Sequence, residues 1–207
     1  MTDEQTLIRL ARAGDGPAFE ALVTAYETRL YQLAFRYLGH REDALDAVQE
    51  TFLRVYRFLG GFQEQSSFST WIYRIAINVC RDLSLQRSRR GEQPLERGED
   101  GEPSPAETLP DLRYAPETRL EQQELRRAIL QGLHALPRAQ KEILLLREVQ
   151  GLSYEEIGAA LKLPSGTVKS RLNRAKAQLK DILSKSGNLF GSPSVIHTET
   201  QGKEARP

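Results

Sequence analysis

The sequence has little of what disulfides, metal sites and membrane spans are made of. Its 207 residues include one cysteine and three histidines, and no stretch approaches the run of about 18 apolar residues that a membrane helix needs. One thiol excludes an intrachain disulfide, and with three scattered histidines it offers no plausible metal cluster. Neither a glycine-rich phosphate loop nor a Ser/His/Asp arrangement is present. We therefore expect no cofactor, no metal and no enzymatic activity.

The charge of the chain is nearly balanced but unevenly placed. The net charge is +1, so no global field indicates a polyanionic ligand. Residues 91–111 nevertheless carry seven acidic side chains against one arginine, and residues 165–185 carry six basic side chains against one aspartate. The opening "MTDEQTLIRLARAGD" lacks the basic and apolar segments of a secretory signal. We expect a cytoplasmic protein, without membrane insertion, whose segments have different roles.

The hydrophobic pattern is helical almost throughout, and the alternation typical of strands is absent. Residues 91–116 interrupt it with half of the ten prolines, among glycines and acids. This pattern predicts an all-α protein with two helical domains joined by a flexible linker. The expected bounds are 1–92 for the first domain, 93–116 for the acidic linker, 117–185 for the second domain and 186–207 for a flexible tail.

The second domain has the pattern of a helix-turn-helix. Ser153 and Glu156 form a capping box, "LPSG" predicts a turn, and a last helix begins near Ser165. One side of that helix has an apolar stripe, and the other carries basic and short polar side chains that suit a DNA groove. The alternative is a solvated basic face. The candidate DNA-facing residues are Thr167, Lys169, Ser170, Arg171, Asn173, Arg174 and Lys176.

Residues 67–83, "SFSTWIYRIAINVCRDL", predict a helix with two distinct faces. Ile72, Ile75, Ala76, Val79 and Leu83 form an ordinary core stripe. The opposite face combines an aromatic, an isoleucine, an amide and two guanidinium groups, which is typical neither of a core nor of a solvated surface. We expect this face to bind a partner; its residues are Tyr73, Arg74, Ile77, Asn78 and Arg81.

Three motifs in this order resemble those of the extracytoplasmic-function (ECF) sigma factors of bacterial RNA polymerase. They are "EDALDAVQETFLRVYRFL", "FSTWIYRIAINVCRDLSLQRSRR" and "GLSYEEIGAALKLPSGTVKSRLNRAKAQL", and the resemblance covers residues 6–183. It implies two helical domains, sigma-2 and sigma-4, and a factor that directs promoter-specific initiation without catalysing it. The implied partners are core RNA polymerase, through its β′ clamp helices and β flap, promoter DNA, and an anti-sigma factor.

The resemblance also assigns roles to individual residues. Those expected to bind core polymerase are Asp43, Asp46, Gln49, Glu50 and Phe52. Those expected to recognise and melt the downstream promoter element, by stacking and edge contacts with unpaired bases, are Ser66, Ser67, Phe68, Ser69, Tyr73, Arg74, Asn78 and Arg81. The upstream element is assigned to the candidate residues of the last helix and to Arg147.

Some positions depart from the family pattern or favour an ordinary structural role. Leu45 stands where the family usually has a glutamate, and Asn173 lies at a variable position. Trp71 is expected in the core, and Cys80 is expected to be a small, semi-buried residue without a redox role. Two alternatives remain: a helix-turn-helix regulator that acts without polymerase, and a module that only sequesters a partner.

Overall fold

The computed structural model describes residues 3–89 and 116–185, with the backbone alone for residues 116–123. Every regular element in these two ranges is helical, which confirms the all-α prediction. The predicted tail, and the predicted linker apart from its last residue, lie outside the described residues. Among the helices described, none is both long and apolar enough to cross a membrane.

Four α-helices make up the first half, with a short 3-10 helix, Leu59–Gly61, after the third. Asp15 caps the second helix by accepting a 2.8 Å hydrogen bond from the Ala18 amide, and Gly39 ends that helix in a left-handed conformation at φ 81°. This second helix packs against the other three, so Leu30 and Leu33 are almost fully buried. The helices are α1 Glu4–Arg12, α2 Gly16–Leu38, α3 Arg41–Phe58 and α4 Phe68–Arg89.

Four further helices make up the second half. The third and fourth form the predicted helix-turn-helix, and the second continues into one π-helical turn before Gly151 reverses the chain at φ 72°. Ile143, Leu146 and Ile157 are fully buried between them. The helices are α5 Pro116–Ala135, α6 Arg138–Leu144 with its π turn Leu145–Val149, α7 Tyr154–Leu161 and α8 Ser165–Lys185.

The start and the end of α7 explain why this helix-turn-helix is compact. The predicted capping box is confirmed: the Glu156 amide donates to Ser153 Oγ at 3.1 Å, and the Ser153 amide donates to Glu156 Oε2 at 2.8 Å. The turn passes so close to α7 that a Cβ on Gly158 would lie 2.6 Å from the Leu163 carbonyl oxygen. Only glycine allows this approach.

The two halves pack against each other. Helix α4 contacts α7, and α2 contacts both α5 and the π turn. Buried residues of both halves join into one hydrophobic cluster. The second half therefore lies over surfaces of the first half that the sequence predicts to bind other molecules.

Candidate nucleic-acid interface

Helix α8 presents a polar, basic face opposite a buried stripe. Val168, Leu172 and Ala175 are at most 1% exposed and pack against α6 and α7. The opposite positions are exposed, and a cation there can donate to phosphates or to guanine acceptors in a major groove. The structure brings together on this face the predicted residues Lys169, Ser170, Asn173 and Arg174.

The four other predicted upstream contacts are less free: two have local side-chain partners and two are half-buried. Arg147 donates to the Leu152 carbonyl at 2.8 Å, and its guanidinium lies 5.2 Å from the Tyr154 ring centroid. It therefore fixes the connection between the π turn and α7. Lys176 pairs with Glu148 at 2.8 Å. At the start of α8, the Thr167 carbonyl accepts the Ser170 hydroxyl at 3.0 Å, while Arg171 is half-buried on the flank.

Part of the predicted melting surface is core rather than surface. Phe68 and Tyr73 are 3% and 1% exposed, so the prediction that these side chains face DNA is wrong for this conformation. The centroids of their rings lie 5.4 and 6.2 Å from that of the Tyr26 ring, and the Phe68 centroid lies 5.7 Å from that of Trp71. The helical pattern alone missed this because α2 supplies a second apolar surface beside α4. The core prediction for Trp71 is confirmed.

The serine loop, residues 66–69, leads into the first turn of helix α4. Ser67 Oγ accepts the Thr70 amide at 3.2 Å, which is the hydrogen bond of a helix N-cap, and it lies 2.9 Å from Ser69 Oγ. Ser66 is half-buried and donates to the Ser67 carbonyl at 3.4 Å. The loop is thus ordered by its own hydroxyl groups, whatever else it binds.

The exposed end of the α4 face carries the predicted amide and cations. Asn78 is exposed, and its Oδ1 accepts from Arg81 Nη1 at 3.3 Å; Arg74 is half-buried. The amide edge of Asn78 is therefore open to solvent in the middle of a helix, where asparagine gains little from backbone bonding.

Arg81 is held by a carboxylate of the second half. Glu142, only 2% exposed, accepts Arg81 Nε at 2.6 Å and Nη2 at 2.5 Å, a bidentate arrangement. These hydrogen bonds raise the pKa of the Arg81 guanidinium. The Tyr37 hydroxyl donates to the same carboxylate at 3.1 Å, and burial together with this acid raises the pKa of Tyr37. A buried charge with these partners is stabilised only while both halves stay together.

A second carboxylate joins the serine loop to α7. Glu156 Oε1 accepts from Ser67 Oγ at 3.2 Å and from Thr70 Oγ1 at 3.3 Å, while its other oxygen caps α7. The backbone hydrogen bond from Ser153, followed by the hydroxyl bonds, lowers the pKa of Glu156. Lys141 extends the contact by donating to the Tyr37 carbonyl at 3.2 Å.

Glu142 and Lys141 were not among the predicted functional residues. The signal was weak: a lysine and a glutamate directly precede the apolar run at residues 143–146. A charged residue beside such a run suggests a buried ion pair. Its partner, 61 positions away, has no signature in the sequence.

The predicted polymerase-binding residues lie on and beside α3. Asp46 and Gln49 are exposed at a cleft of about 350 Å³ between α3 and α4, and Glu50, paired with Arg54 at 2.7 Å, also lines it. Asp43 pairs with Arg87 of α4. Phe52 is half-buried and packs on the core, so it supports the surface more than it forms it.

Apolar side chains extend this α3 surface. Leu45 and Leu53 are 43% and 51% exposed, and Leu53 lines the cleft beside the acidic and amide groups. Side chains of this size, exposed next to carboxylates, suit a partner that is itself both apolar and basic.

The chain matches known proteins along both halves. The family model Sigma-70 region 2 matches residues 22–90, and Sigma-70, region 4 matches residues 126–179. The ECF RNA polymerase sigma-E factor of Haemophilus influenzae is 36% identical over 179 residues, which cover 86% of this chain and 94% of that protein.

Two solved structures have a similar fold. CnrH in complex with the cytosolic domain of CnrY has a TM-score of 0.65 at 26% identity, covering 89% of this chain and 99% of that one. RpoE in complex with the anti-sigma factor NepR, from Bartonella quintana, has a TM-score of 0.61 at 22% identity, covering 80% and 96%.

Proposed function

This chain belongs to the ECF sigma factors of bacterial RNA polymerase, and from that premise we propose how its surfaces divide the work of a sigma factor. It binds core RNA polymerase and directs initiation at specific promoters. The observation that carries the proposal is that one chain combines an acidic and apolar α3 surface, a polar α4 face and a basic helix-turn-helix.

Helix α3 is the proposed docking surface for core polymerase. Asp46 and Gln49 lie beside the exposed Leu53. Together the three side chains offer a charge, a hydrogen-bonding amide and an apolar area to one partner. A basic helical hairpin of the polymerase clamp would match this surface. Leu45 supplies apolar contact where the family usually has a carboxylate.

The two DNA surfaces are assigned to different halves. We place recognition and melting of the downstream element in residues 1–92, on Asn78, Arg74, Arg81 and the serine loop. We place recognition of the upstream element in residues 117–185, on the exposed face of α8. Two contacts carried by one chain raise each other's effective concentration, so moderate affinity at each element suffices.

The chain acts as an initiation factor, and we propose that it contributes no catalytic group of its own. Residues 3–89 and 116–185 contain no cluster of histidine, cysteine and carboxylate side chains that could hold a metal ion. We propose a cytoplasmic location and an anti-sigma factor as a regulatory partner. The linker 93–116 would span the polymerase between the two promoter elements.

Transcription in vitro with core polymerase tests the docking assignment. The double variant Asp46→Lys/Glu50→Lys should lose co-purification with core polymerase and lose promoter-specific transcripts, because it reverses the charge of the α3 surface. Glu27→Lys, an exposed charge reversal on α2, is the matched control and should retain both. A double variant that keeps its helicity and still binds core polymerase like the wild type would refute the assignment.

A further inference from the structure

Neither the polymerase surface nor the two DNA surfaces include helix α1. The family model for Sigma-70 region 2 begins at residue 22, after α1 has ended at Arg12. Ile8 and Ala11 are nevertheless buried, so α1 belongs to the core of the first half. The helix packs along α2 and contacts the 3-10 helix that follows α3. It therefore lies beside the chain that leads to the serine loop.

The connection between α3 and α4 is a short loop with an aromatic base. Phe62 and Phe68 are buried and their ring centroids lie 5.7 Å apart, so the chain leaves the core and returns to it at nearly the same place. Between them residues 63–67 are exposed, apart from the half-buried Ser66. Glu64 has a φ of 57°, a left-handed conformation that is uncommon for a residue with a Cβ atom. Such a conformation persists only where neighbouring contacts hold it.

Helix α1 contacts this loop and its support from two sides. At the C-terminal end of α1, Arg12 Nη1 donates to Glu64 Oε1 at 3.2 Å, just before the serine loop. At the N-terminal end, Glu4 accepts the Tyr26 hydroxyl at 2.6 Å. The Tyr26 ring in turn packs edge-on against Phe68. Burial, followed by the bond to Glu4, raises the pKa of Tyr26, so its hydroxyl stays a donor.

The shape of the loop determines where its hydroxyl groups lie. Ser67 Oγ accepts the Thr70 amide and lies 2.9 Å from Ser69 Oγ, so these groups move together with the backbone that precedes them. Hydrogen bonds to the edge of an unpaired base require that donors and acceptors be held within about 0.5 Å of the productive geometry. A contact that fixes the backbone at Glu64 therefore fixes the hydroxyl groups that follow.

We propose that α1 is a brace for the serine loop: Arg12 and Glu64 are positioning residues that hold residues 63–67 in the shape that receives an unpaired base of the downstream element. Neither side chain touches the base in this proposal. The binding role of the loop rests on the proposed function, whereas the brace itself does not. Both α1 and the loop belong to the first half, so the brace acts within that half.

Charge reversals on the two sides of the ion pair test the brace. The assay follows open-complex formation by the full chain with core polymerase, using a fluorescent base analogue in the downstream element of a duplex promoter. Arg12→Glu and Glu64→Arg should each lower the maximal rate by about 5-fold, the scale of one partly exposed ion pair. The concentration of holoenzyme that gives half the maximal rate should not change. The exchange variant Arg12→Glu/Glu64→Arg should recover most of the rate.

The signs of these effects distinguish positioning from a direct contact with DNA. If Arg12 bound a phosphate, Glu64→Arg would add a favourable charge and raise the rate, and the exchange variant would stay as slow as Arg12→Glu. Either result would overturn the proposal. Arg9→Glu makes the same charge change at an exposed position of α1 and is the matched control, which should keep the wild-type rate.

Nuclear magnetic resonance of the full chain without polymerase tests the brace by itself. Backbone amide relaxation should show residues 63–67 more mobile in Arg12→Glu and in Glu64→Arg than in the wild type. The exchange variant and Arg9→Glu should match the wild type. A loop that is as rigid in both single variants as in the wild type would overturn the proposal.

Ser67→Gly separates this proposal from the proposed function. It removes the central hydroxyl group of the loop, and glycine is tolerated at a helix N-cap. If Ser67→Gly slows opening but variants with a loosened loop do not, positioning by α1 is overturned. If the loosened variants and Ser67→Gly all open the promoter at the wild-type rate, the role assigned to the serine loop fails while the brace stands.

Discussion

Acid should weaken the contact between the two halves, and His134 is the residue through which it acts. The His134 ring is mostly buried, and within the described part of the chain its Nε2 atom has no hydrogen-bond partner. Burial, and then the positive charges of Lys141 and His40, lower the pKa of His134 to about 4. The closed chain, in which the two halves pack together, therefore holds this ring neutral at pH values where a solvated histidine is charged.

The sign and size of the effect follow from linkage. A solvated histidine has a pKa of about 6.5, so the open or unfolded chain takes up the proton first as the pH falls. Above that value the neutral ring costs the closed chain nothing. As the pH falls from 6.5 towards 4, the closed chain loses stability relative to the open or unfolded chain. At pH 5, about 1.5 pH units below the pKa of the solvated ring, the loss is about 2 kcal/mol, because one pH unit corresponds to about 1.36 kcal/mol. That is about a 30-fold change in the equilibrium between the closed chain and the open or unfolded chain.

Nuclear magnetic resonance measures this pKa directly. The ring carbons of the histidines are followed from pH 7.5 to 4, and His134→Gln assigns the signal. The ring should titrate well below 6.5 in the folded wild type, and its pKa should rise towards 6.5 when the chain is unfolded in urea. In urea unfolding, His134→Gln should lose much less stability than the wild type between pH 7 and 5; part of the remainder comes from His40, whose pKa is lowered mainly by burial. A His134 pKa near 6.5 in a closed wild type would refute this reasoning.

Three further changes test the packing and the DNA surfaces. Gly158→Ala should destabilise the second half by about 1–3 kcal/mol in thermal unfolding, because its Cβ would overlap the Leu163 carbonyl, and Gly166→Ala, where the new Cβ meets no neighbour within 4 Å, is its control. Arg174→Ala should weaken binding of the upstream element by about 1–3 kcal/mol at one base position in competition assays; an equal loss on every sequence would mean a phosphate contact. Asn78→Ala should leave polymerase binding unchanged but lower permanganate reactivity of the transcription bubble on duplex promoters, and equal reactivity of variant and wild type on duplex and pre-melted templates would leave Asn78 without a role in melting.

Local features of the fold could be predicted from the sequence because their causes are local. The capping box of α7 and the buried stripe of α8 both depend on residues within one or two turns of each other. Val168, Leu172 and Ala175 are buried as their spacing predicts. The exposed positions of α8 follow from the same spacing, since a helix with one buried stripe leaves its opposite side to solvent.

The α4 face could not be predicted in this way, because its surroundings come from distant parts of the chain. Helical spacing sorts residues into faces but does not say how many neighbouring helices a face meets. Tyr73 is buried against α2, and Arg81 meets a carboxylate from α6.

Glu156 illustrates what the sequence pattern does and does not predict. Its Oε2 atom caps its own helix, as the sequence predicts, and its Oε1 atom binds Thr70 of the first half, 86 residues away. One side chain thus has a local and a long-range role, and only the local role has a recognisable pattern in the sequence. An unusual mixture of residues on one face still carried information, because it indicated a face that something covers. In the free chain that cover is the protein's own second half.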